Sequence, residues 1–484
     1  MTIRNCLLGS SSLPYSLSTF PCTMAAPKHV SIVLLLCFCA FVVHSRTIVK
    51  HLPGFNGPLP FYLETGYVMV DEANGGELFY YFVESEGNPS KDPLVLWLTG
   101  GHRCSALSGF LFEIGPLKIV KAPYNGSIPE LEYHPYAWTK NASIIFLDSP
   151  LGAGFSYSAN PKGYEVGDLI ASLQIHKFLM KWFVDHPHYI SHHFYIAGDS
   201  YAGKIAPVVA QLVAEGIEAL QQPLLNLKGY LIGNPSTGEK YDNNSRVPYA
   251  HGVGIISDQL FELTQKTCVG EDYSNPVNVH CAEILDVVED LTLEVSRAHI
   301  LESHCILVSP KPKDVIQNRR FLKDDYVIQL SKPEEPPFYC REYSYYLSYF
   351  WANDNATQTA LGIRKGTVKE WQRCIDLPYE YGIKSNIKYH HNLISRGYRA
   401  LVYSGDHDLL VPFLGTQAWI RSLNFPVVDA WRAWHVNGRT AGFTESYSNN
   451  LTFATIRDGG HTAPEYRPVE CLAMFERWIS YQPL

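Results

Sequence analysis

The sequence predicts an α/β fold: a doubly wound, mostly parallel sheet with an inserted cap subdomain. Three observations carry this expectation. Short apolar runs end in Gly, Asp, Ser or Asn, helix-like stretches lie between or after them, and one long interval breaks the alternation. Continuous apolarity is what a strand buried on both faces requires. Strands alternating with helices imply parallel pairing.

The strand-like runs, in order, are PLVLWLTG (93–100), SIIFLDSP (143–150), HFYIAGDS (193–200), LKGYLIGNP (227–235), RALVYSGDHD (399–408) and FATIRDGGH (453–461). The clearest helical stretches are VGDLIASLQIHKFLMKWFVDH (166–186) and KIAPVVAQLVAEGIEALQQ (204–222), with PVECLAMFERWIS (468–480) after the last strand. In such sheets chemistry collects at the carboxyl ends of the strands. Here those ends carry Thr99, Gly100 and Gly101, then Asp148, Ser200, Asn234, Asp408 and His461. Residues 236–396 fit the alternation poorly. They include Cys268, Cys281, Cys305 and Cys340 and a Lys/Pro-rich stretch, LVSPKPKDVIQNRRFLKDD (307–325), which reads as an exposed loop open to proteases. This interval is the expected cap, dividing the core into residues 46–235 and 397–484.

Bulk properties narrow the function. The chain has 484 residues, 46% hydrophobic and 18% charged, enough for a large packed core and too apolar for disorder. Its net charge is −8 and no Lys/Arg block stands out, which argues against nucleic acid as a partner. Near the N-terminus, VSIVLLLCFCAFVV (30–43) follows Lys28 and His29 and precedes His44 and Ser45. The run is short for a membrane span and reads as a secretory signal, with a signal anchor as the alternative. Met24 would start such a signal better than Met1. Residues 1–45 are therefore expected to be a signal peptide with an upstream extension, and the mature chain to begin near residue 46.

Four of the 11 cysteines (Cys6, Cys22, Cys37 and Cys39) fall in that segment. The remaining seven allow three bridges and one free thiol in an oxidising compartment. None forms a CxxC pair, so zinc is disfavoured, and neither a metal nor an organic cofactor is expected. Glycosylation sequons occur at Asn125, Asn141, Asn243, Asn355 and Asn450. The chain ends YQPL, without an ER-retention tetrapeptide. A secreted or vacuolar glycoprotein is expected.

The chemistry centres on FYIAGDSYAGKIAP (194–207). A serine hydroxyl is a poor nucleophile until a base takes its proton. A sharp strand-to-helix turn exposes the oxygen and puts the next backbone N–H beside a developing oxyanion. Gly198 and Ala202, two residues before and after Ser200, are small enough for that turn, although the G-x-S-x-G pattern is met only loosely. Downstream, Asp408 ends one strand run and His461 ends the last, flanked by Gly459, Gly460 and Pro464. Serine, then acid, then histidine is the chain order of the α/β-hydrolase fold. His461 would act as base and then acid, while Asp408 holds its tautomer. Asp406 is a rival for the acid.

The blocks WLTGGHRCSALSGFLFEIGPL (97–117), DSPLGAGFSYS (148–158), GDSYAG (198–203), GNP (233–235), YSGDHDLLVPFLGTQAW (403–419) and GGHTAPEYRP (459–468) resemble, in this order, the serine carboxypeptidase-like family. The resemblance implies Ser200 as nucleophile, Asp408 as acid and His461 as base, with an oxyanion hole from the N–H groups of Gly101 and Tyr201. It also implies disulfides Cys104–Cys374, Cys268–Cys281 and Cys305–Cys340, leaving Cys471 free.

The residue before the serine bears on the substrate. In the family's carboxypeptidases a glutamate stands there and an asparagine opens the Gly-Gly block. With a second glutamate, matched here by Glu113, they hold the substrate's terminal carboxylate. Two acids can do so only by sharing a proton, hence an acidic optimum. This chain has Asp199 and Thr99 instead, which with Gly100 and Glu113 make up the expected substrate-binding set. The Asp/Thr combination resembles the plant acyltransferase branch, which moves an acyl group from a glucose ester to an alcohol or organic-acid hydroxyl. The alternative partner is a peptide C-terminus. One departure cuts against any activity: His102 and Arg103 replace the family's Pro-Gly directly after Gly101. Displacing one oxyanion donor typically costs about a hundredfold or more in rate. A weakened, binding-only relative is the third expectation.

Overall fold

The computed structural model describes residues 46–305 and 335–484. The signal-like segment and the Lys/Pro-rich stretch lie outside the described residues. Eleven strands form one continuous path: β1 (Arg46–Val49), β2 (Leu63–Asp71), β3 (Gly76–Val83), β4 (Leu94–Leu98), β5 (Ser143–Leu147), β6 (Phe194–Asp199), β7 (Leu227–Gly233), β8 (Arg399–Gly405), β9 (Val427–Val436), β10 (Arg439–Tyr447) and β11 (Leu451–Ile456). Their spatial order is β1-β2-β3-β5-β4-β6-β7-β8-β11-β10-β9, and the short strand Tyr157–Ser158 adds to β3.

The six central strands, β5 to β11 in that order, are parallel. They are the six runs that continuous apolarity singles out. Antiparallel strands flank them on both sides, so the sheet is mixed at its margins. These flanks escape a search for strand–helix alternation. β2 joins β3 directly, without a helix between them, and β9 is largely exposed, with only Trp434 buried.

Side-chain alternation along the strands makes two apolar layers. On one face Leu96, Ile196 and Ile232 pack against Phe178 and Trp182 of α1 (Asp168–Asp185) and Val209 of α2 (Ala202–Glu218). On the other, Trp97, Phe146 and Tyr403 face Trp138 and Phe475. Phe475 comes from the last helix, Pro468–Ile479, and stacks on Trp138 with ring centroids 4.3 Å apart. Each such buried side chain contributes roughly 1.5–3 kcal/mol, which fixes the strand ends as a rigid platform.

Adjacent strands β7 and β8 are separated by residues 234–398, whose helices include Asp258–Thr267, Val279–Leu293 and Glu342–Asn353. Cys268–Cys281 joins the first two, Cys305–Cys340 closes a second loop, and Cys104–Cys374 ties this region to the turn after β4. Cys471 is unpaired and buried. Of the sequon asparagines, Asn125, Asn355 and Asn450 are exposed and Asn141 and Asn243 half-buried.

Candidate active site

β6 hands over to α2 at Ser200, whose φ is +53°. A serine in this left-handed region costs of order 1–3 kcal/mol and persists only when its surroundings enforce it. The Ser200 N–H donates to the Gly233 carbonyl (2.8 Å), and the Gly203 N–H donates to the Ser200 carbonyl (2.9 Å). Gly198 cannot be larger: a Cβ there would lie 2.5 Å from the Leu98 carbonyl oxygen and 2.7 Å from Ala202 Cβ.

The turn lifts Ser200 Oγ to 2.7 Å from His461 Nε2, and His461 Nδ1 lies 2.8 Å from Asp408 Oδ2. Asp408 is saturated with donors. It accepts from the Asn234 side-chain amide (2.8 Å) and the backbone N–H groups of Leu410 (2.7 Å) and Val411 (3.3 Å). With those contacts fixed, the imidazole donates from Nδ1 to Asp408 and presents Nε2 as an acceptor to the Ser200 hydroxyl. Burial opposes protonation of His461. The charge and hydrogen bond of Asp408, with Asp199 behind them, outweigh it and raise the imidazole above its ordinary range. Asp406 lies beside His407 instead (3.3 Å) and takes no part in this chain of contacts.

Both loops are gripped by one segment that no motif pointed to. The Ala298 carbonyl accepts from the His461 N–H (2.7 Å), the Arg297 carbonyl from Leu409 (2.9 Å) and Leu410 (3.2 Å), and Ile300 donates to His407 (3.1 Å). Arg246 adds two hydrogen bonds to the Leu410 carbonyl, at 2.7 and 3.0 Å.

The turn after β4 closes on the serine from the opposite side. A Cβ on Gly100 would sit 2.6 Å from Ser200 Cβ. Gly101 has φ +74°, and any side chain there would collide with Cys104 Sγ. The N–H groups of Gly101 and Tyr201 make no backbone hydrogen bond among the described residues, the condition an oxyanion hole needs. The His102-Arg103 departure does not remove the positive φ at Gly101. Arg103, 1% exposed, donates Nη1 to the Leu151 carbonyl (2.6 Å) and Nη2 to those of Tyr164 and Pro378 (2.7 Å each). Burial lowers its guanidinium to about 10, which still leaves a cation at neutral pH.

Beside the serine lies a cluster of acids. Asp199 accepts from the Gly100 N–H (2.8 Å) and is raised to about 6 by burial, against the pull of His461 and that N–H. Glu113 is raised well above the carboxylate range by burial, then by Asp199 and Glu465. Thr99 Oγ1 and Glu113 Oε2 are buried without a hydrogen-bond partner among the described residues. Arg373, which sequence reading overlooked, draws both acids downward and lies over the Tyr345 ring at 4.2 Å. The signal for it was available: residue 373 precedes Cys374, whose bridge to Cys104 places it beside the turn after β4.

Comparison with known proteins agrees with this architecture. The pattern of the serine carboxypeptidase family matches residues 53–481. Serine carboxypeptidase-like 19 of Arabidopsis thaliana is 45% identical over 468 residues, covering 94% of this chain and 100% of that protein. Serine carboxypeptidase-like 3 of the same plant is 47% identical over 445 residues, covering 91% and 94%. A crystal structure of a prohormone-processing carboxypeptidase from Saccharomyces cerevisiae superimposes with a TM-score of 0.70 at 18% identity, over 90% of this chain and 96% of that one, a likeness of α/β-hydrolase fold. On the family match and on the identity to its plant members, this chain belongs to the serine carboxypeptidase family and is an enzyme of that α/β-hydrolase class.

Proposed function

We propose that the enzyme transfers an acyl group from a 1-O-acyl-glucose to a hydroxyl acceptor through an acyl-Ser200 intermediate. The observation that carries the acyl-serine step is the continuous contact Ser200–His461–Asp408. Ser200 Oγ attacks the acyl carbon as its proton passes to His461 Nε2. The bond from the acyl carbon to the glucose oxygen breaks, and glucose leaves with that proton. An acceptor hydroxyl then attacks the acyl-serine, gives its proton to His461, and the ester forms as the proton returns to Ser200 Oγ. Gly101 and Tyr201 are assigned as the oxyanion donors in both halves.

Two residues beside Ser200 support transfer over peptide hydrolysis. Asp199 spends one carboxylate oxygen on the Gly100 N–H, and Thr99 offers no amide to a substrate carboxylate. A carboxypeptidase remains the second reading, because Glu113 and Asp199 are both raised and could share a proton over a peptide C-terminus at acidic pH. Sequons and three disulfides support passage through the secretory pathway, to the vacuole or the exterior. No described helix is long and apolar enough to cross a membrane.

The test offers the glycoprotein a 1-O-acyl-glucose with alcohol acceptors, and separately a blocked dipeptide at acidic pH. Ester formation without peptide cleavage supports transfer, and the reverse supports the second reading. Silence with both returns the binding-only expectation. Ser200→Ala should abolish either activity.

A further inference from the structure

The peptide that joins Ser200 to Tyr201 carries one of the two assigned oxyanion donors, and it is held at both ends. Its carbonyl, that of Ser200, accepts from the N–H groups of Gly203 and Ser236 at 2.9 Å each. Its other end is the Tyr201 Cα, and the Tyr201 side chain ties that end to a point outside the turn: the phenol donates to Asp168 Oδ1 at 2.6 Å. Burial, then this hydrogen bond, raises the phenol above its ordinary range, so it stays a donor. A peptide group is planar, so holding its carbonyl and the following Cα sets the direction of the N–H between them. The hold matters here because the left-handed Ser200 backbone persists only where its surroundings enforce it.

Asp168 is a fixed point of reference. It opens α1 and is fully buried. Oδ1 also accepts from the Tyr379 hydroxyl (3.0 Å) and Oδ2 from the Ile383 N–H (2.9 Å), with the Lys204 ammonium 3.6 Å from Oδ2. Val166 and Gly167, just before it, pair in parallel with Tyr379 and Glu380, so closely that a Cβ on Gly167 would lie 2.3 Å from the Glu380 carbonyl oxygen. The same stretch holds the turn of the other donor, Gly101. Cys374 is bridged to Cys104, and the Pro378 carbonyl accepts from Arg103 Nη2 at 2.7 Å. Both donor turns are thereby referenced to residues 374–383, which belong to neither β4 nor β6.

We propose that Asp168 is a positioning residue of the oxyanion hole: through the Tyr201 phenol it aims the Tyr201 N–H at the acyl oxygen. Asp168 touches no reacting atom and acts only through the tether. The inference rests on the acyl-serine reading above, with Gly101 and Tyr201 as oxyanion donors, and is indifferent to whether water or another hydroxyl resolves the intermediate.

The test reads the acyl carbonyl itself. The glycosylated enzyme is mixed rapidly with 4-nitrophenyl acetate, with and without a carbon-13 carbonyl, and the isotope-difference infrared spectrum gives the C=O stretch of acetyl-Ser200. The intact mass confirms the adduct, and the nitrophenolate burst gives the acylation rate. Donors aimed at the acyl oxygen polarise the bond and lower its stretching frequency. Y201F keeps the N–H and loses only the tether. Its stretch should move to higher frequency, and its saturating acylation rate should fall about tenfold while the half-saturating ester concentration stays within about twofold. D168A removes the far end of the tether and should shift the stretch the same way. Y379F takes a phenol from the same carboxylate oxygen without touching the turn, and its stretch should stay at the wild-type value. A Y201F adduct with the wild-type stretch overturns the assignment, even where the variant melts earlier or acylates more slowly, because a packing role alone would give those losses. A Y379F stretch displaced as far as that of Y201F overturns it too. Failure of the wild-type enzyme to form any acyl-Ser200 overturns the acyl-serine reading itself, and this inference with it.

Discussion

Two buried aspartates act on the same imidazole, and they are built in opposite ways. Asp408, behind His461, is fully buried and accepts from the imidazole, one side-chain amide and two backbone N–H groups. Asp199, on the substrate side, is 2% exposed and accepts from the Gly100 N–H, with a second raised acid, Glu113, nearby. Asp408 is held by donors on every side, whereas a buried carboxyl given few donors, as Asp199 is, holds its proton to higher pH. The region behind the histidine is thus a fixed electrostatic support, and the region in front is a proton reservoir whose state changes with pH. The first suits every reaction the family's triad could perform. The second is where substrate choice can differ.

The sharpest way to break this contrast is to neutralise each acid in turn. Asp408→Asn should slow formation of acyl-Ser200 by about 10³–10⁴-fold, because the amide no longer enforces the tautomer that accepts the serine proton. Asp199→Asn should lower the same rate by no more than about tenfold, since an amide oxygen can still accept from Gly100. Burst kinetics with a nitrophenyl ester measure both. Equal losses would mean that Asp199 is part of the triad's support.

Stability gives the next largest effect. In the unfolded chain Asp199 would titrate near 3.8, and in the fold near 6. At pH below both values the residue is protonated in either state and burial carries no ionic penalty. As pH rises between them the unfolded chain loses its proton first, so the fold loses stability, and above about 6 the loss is complete. That rise corresponds to at most about 3 kcal/mol. Asp199→Asn has no proton to lose. Its melting temperature should exceed the wild type's at pH 7.5, and the gap should narrow toward pH 4. A gap that is constant with pH would show that Asp199 ionises as freely in the fold as outside it.

The same contrast explains what could be read from the sequence. Ser200, Asp408 and His461 are legible because each ends an apolar strand run, and small residues around them mark tight turns. Asp199 is legible as an identity, one methylene shorter than the family's glutamate, but its consequence depends on burial and on Arg373, which lies 174 positions away. The cradle of Arg103 uses carbonyls from Leu151, Tyr164 and Pro378, and the grip on His461 uses that of Ala298. Every residue has a carbonyl, so such contacts leave no mark in composition or spacing. The antiparallel flanks were missed for a related reason. A long exposed strand such as β9 lacks the uninterrupted apolarity by which the central strands declare themselves.

The acid limb of the pH–rate profile tests whether the reservoir communicates with the base. His461 must be neutral to take the serine proton, so kcat/KM falls as pH drops through its titration. Asp199 is among the charges that raise it. Removing that charge in Asp199→Asn should move the limb to lower pH, leaving the plateau shape unchanged. A limb that stays in place would confine Asp199 to ground-state binding.

Glu113→Gln should have the smallest effect of the set, and that smallness is informative. Burial, Asp199 and Glu465 together keep Glu113 protonated well above the usual carboxylate range. A glutamine therefore replaces one neutral, similarly shaped group with another. Stability between pH 5 and 7 should change by no more than about 1 kcal/mol, and the rate of Ser200 acylation by an uncharged ester should hardly move. Cleavage of a blocked dipeptide, should the enzyme show any, is a different matter. A glutamine cannot give up a proton or share one with Asp199 over a bound carboxylate, so peptide cleavage should fall while ester acylation persists. Loss of both together would place Glu113 in the machinery common to every acyl donor, and the division between a fixed support and a substrate-facing reservoir would no longer hold.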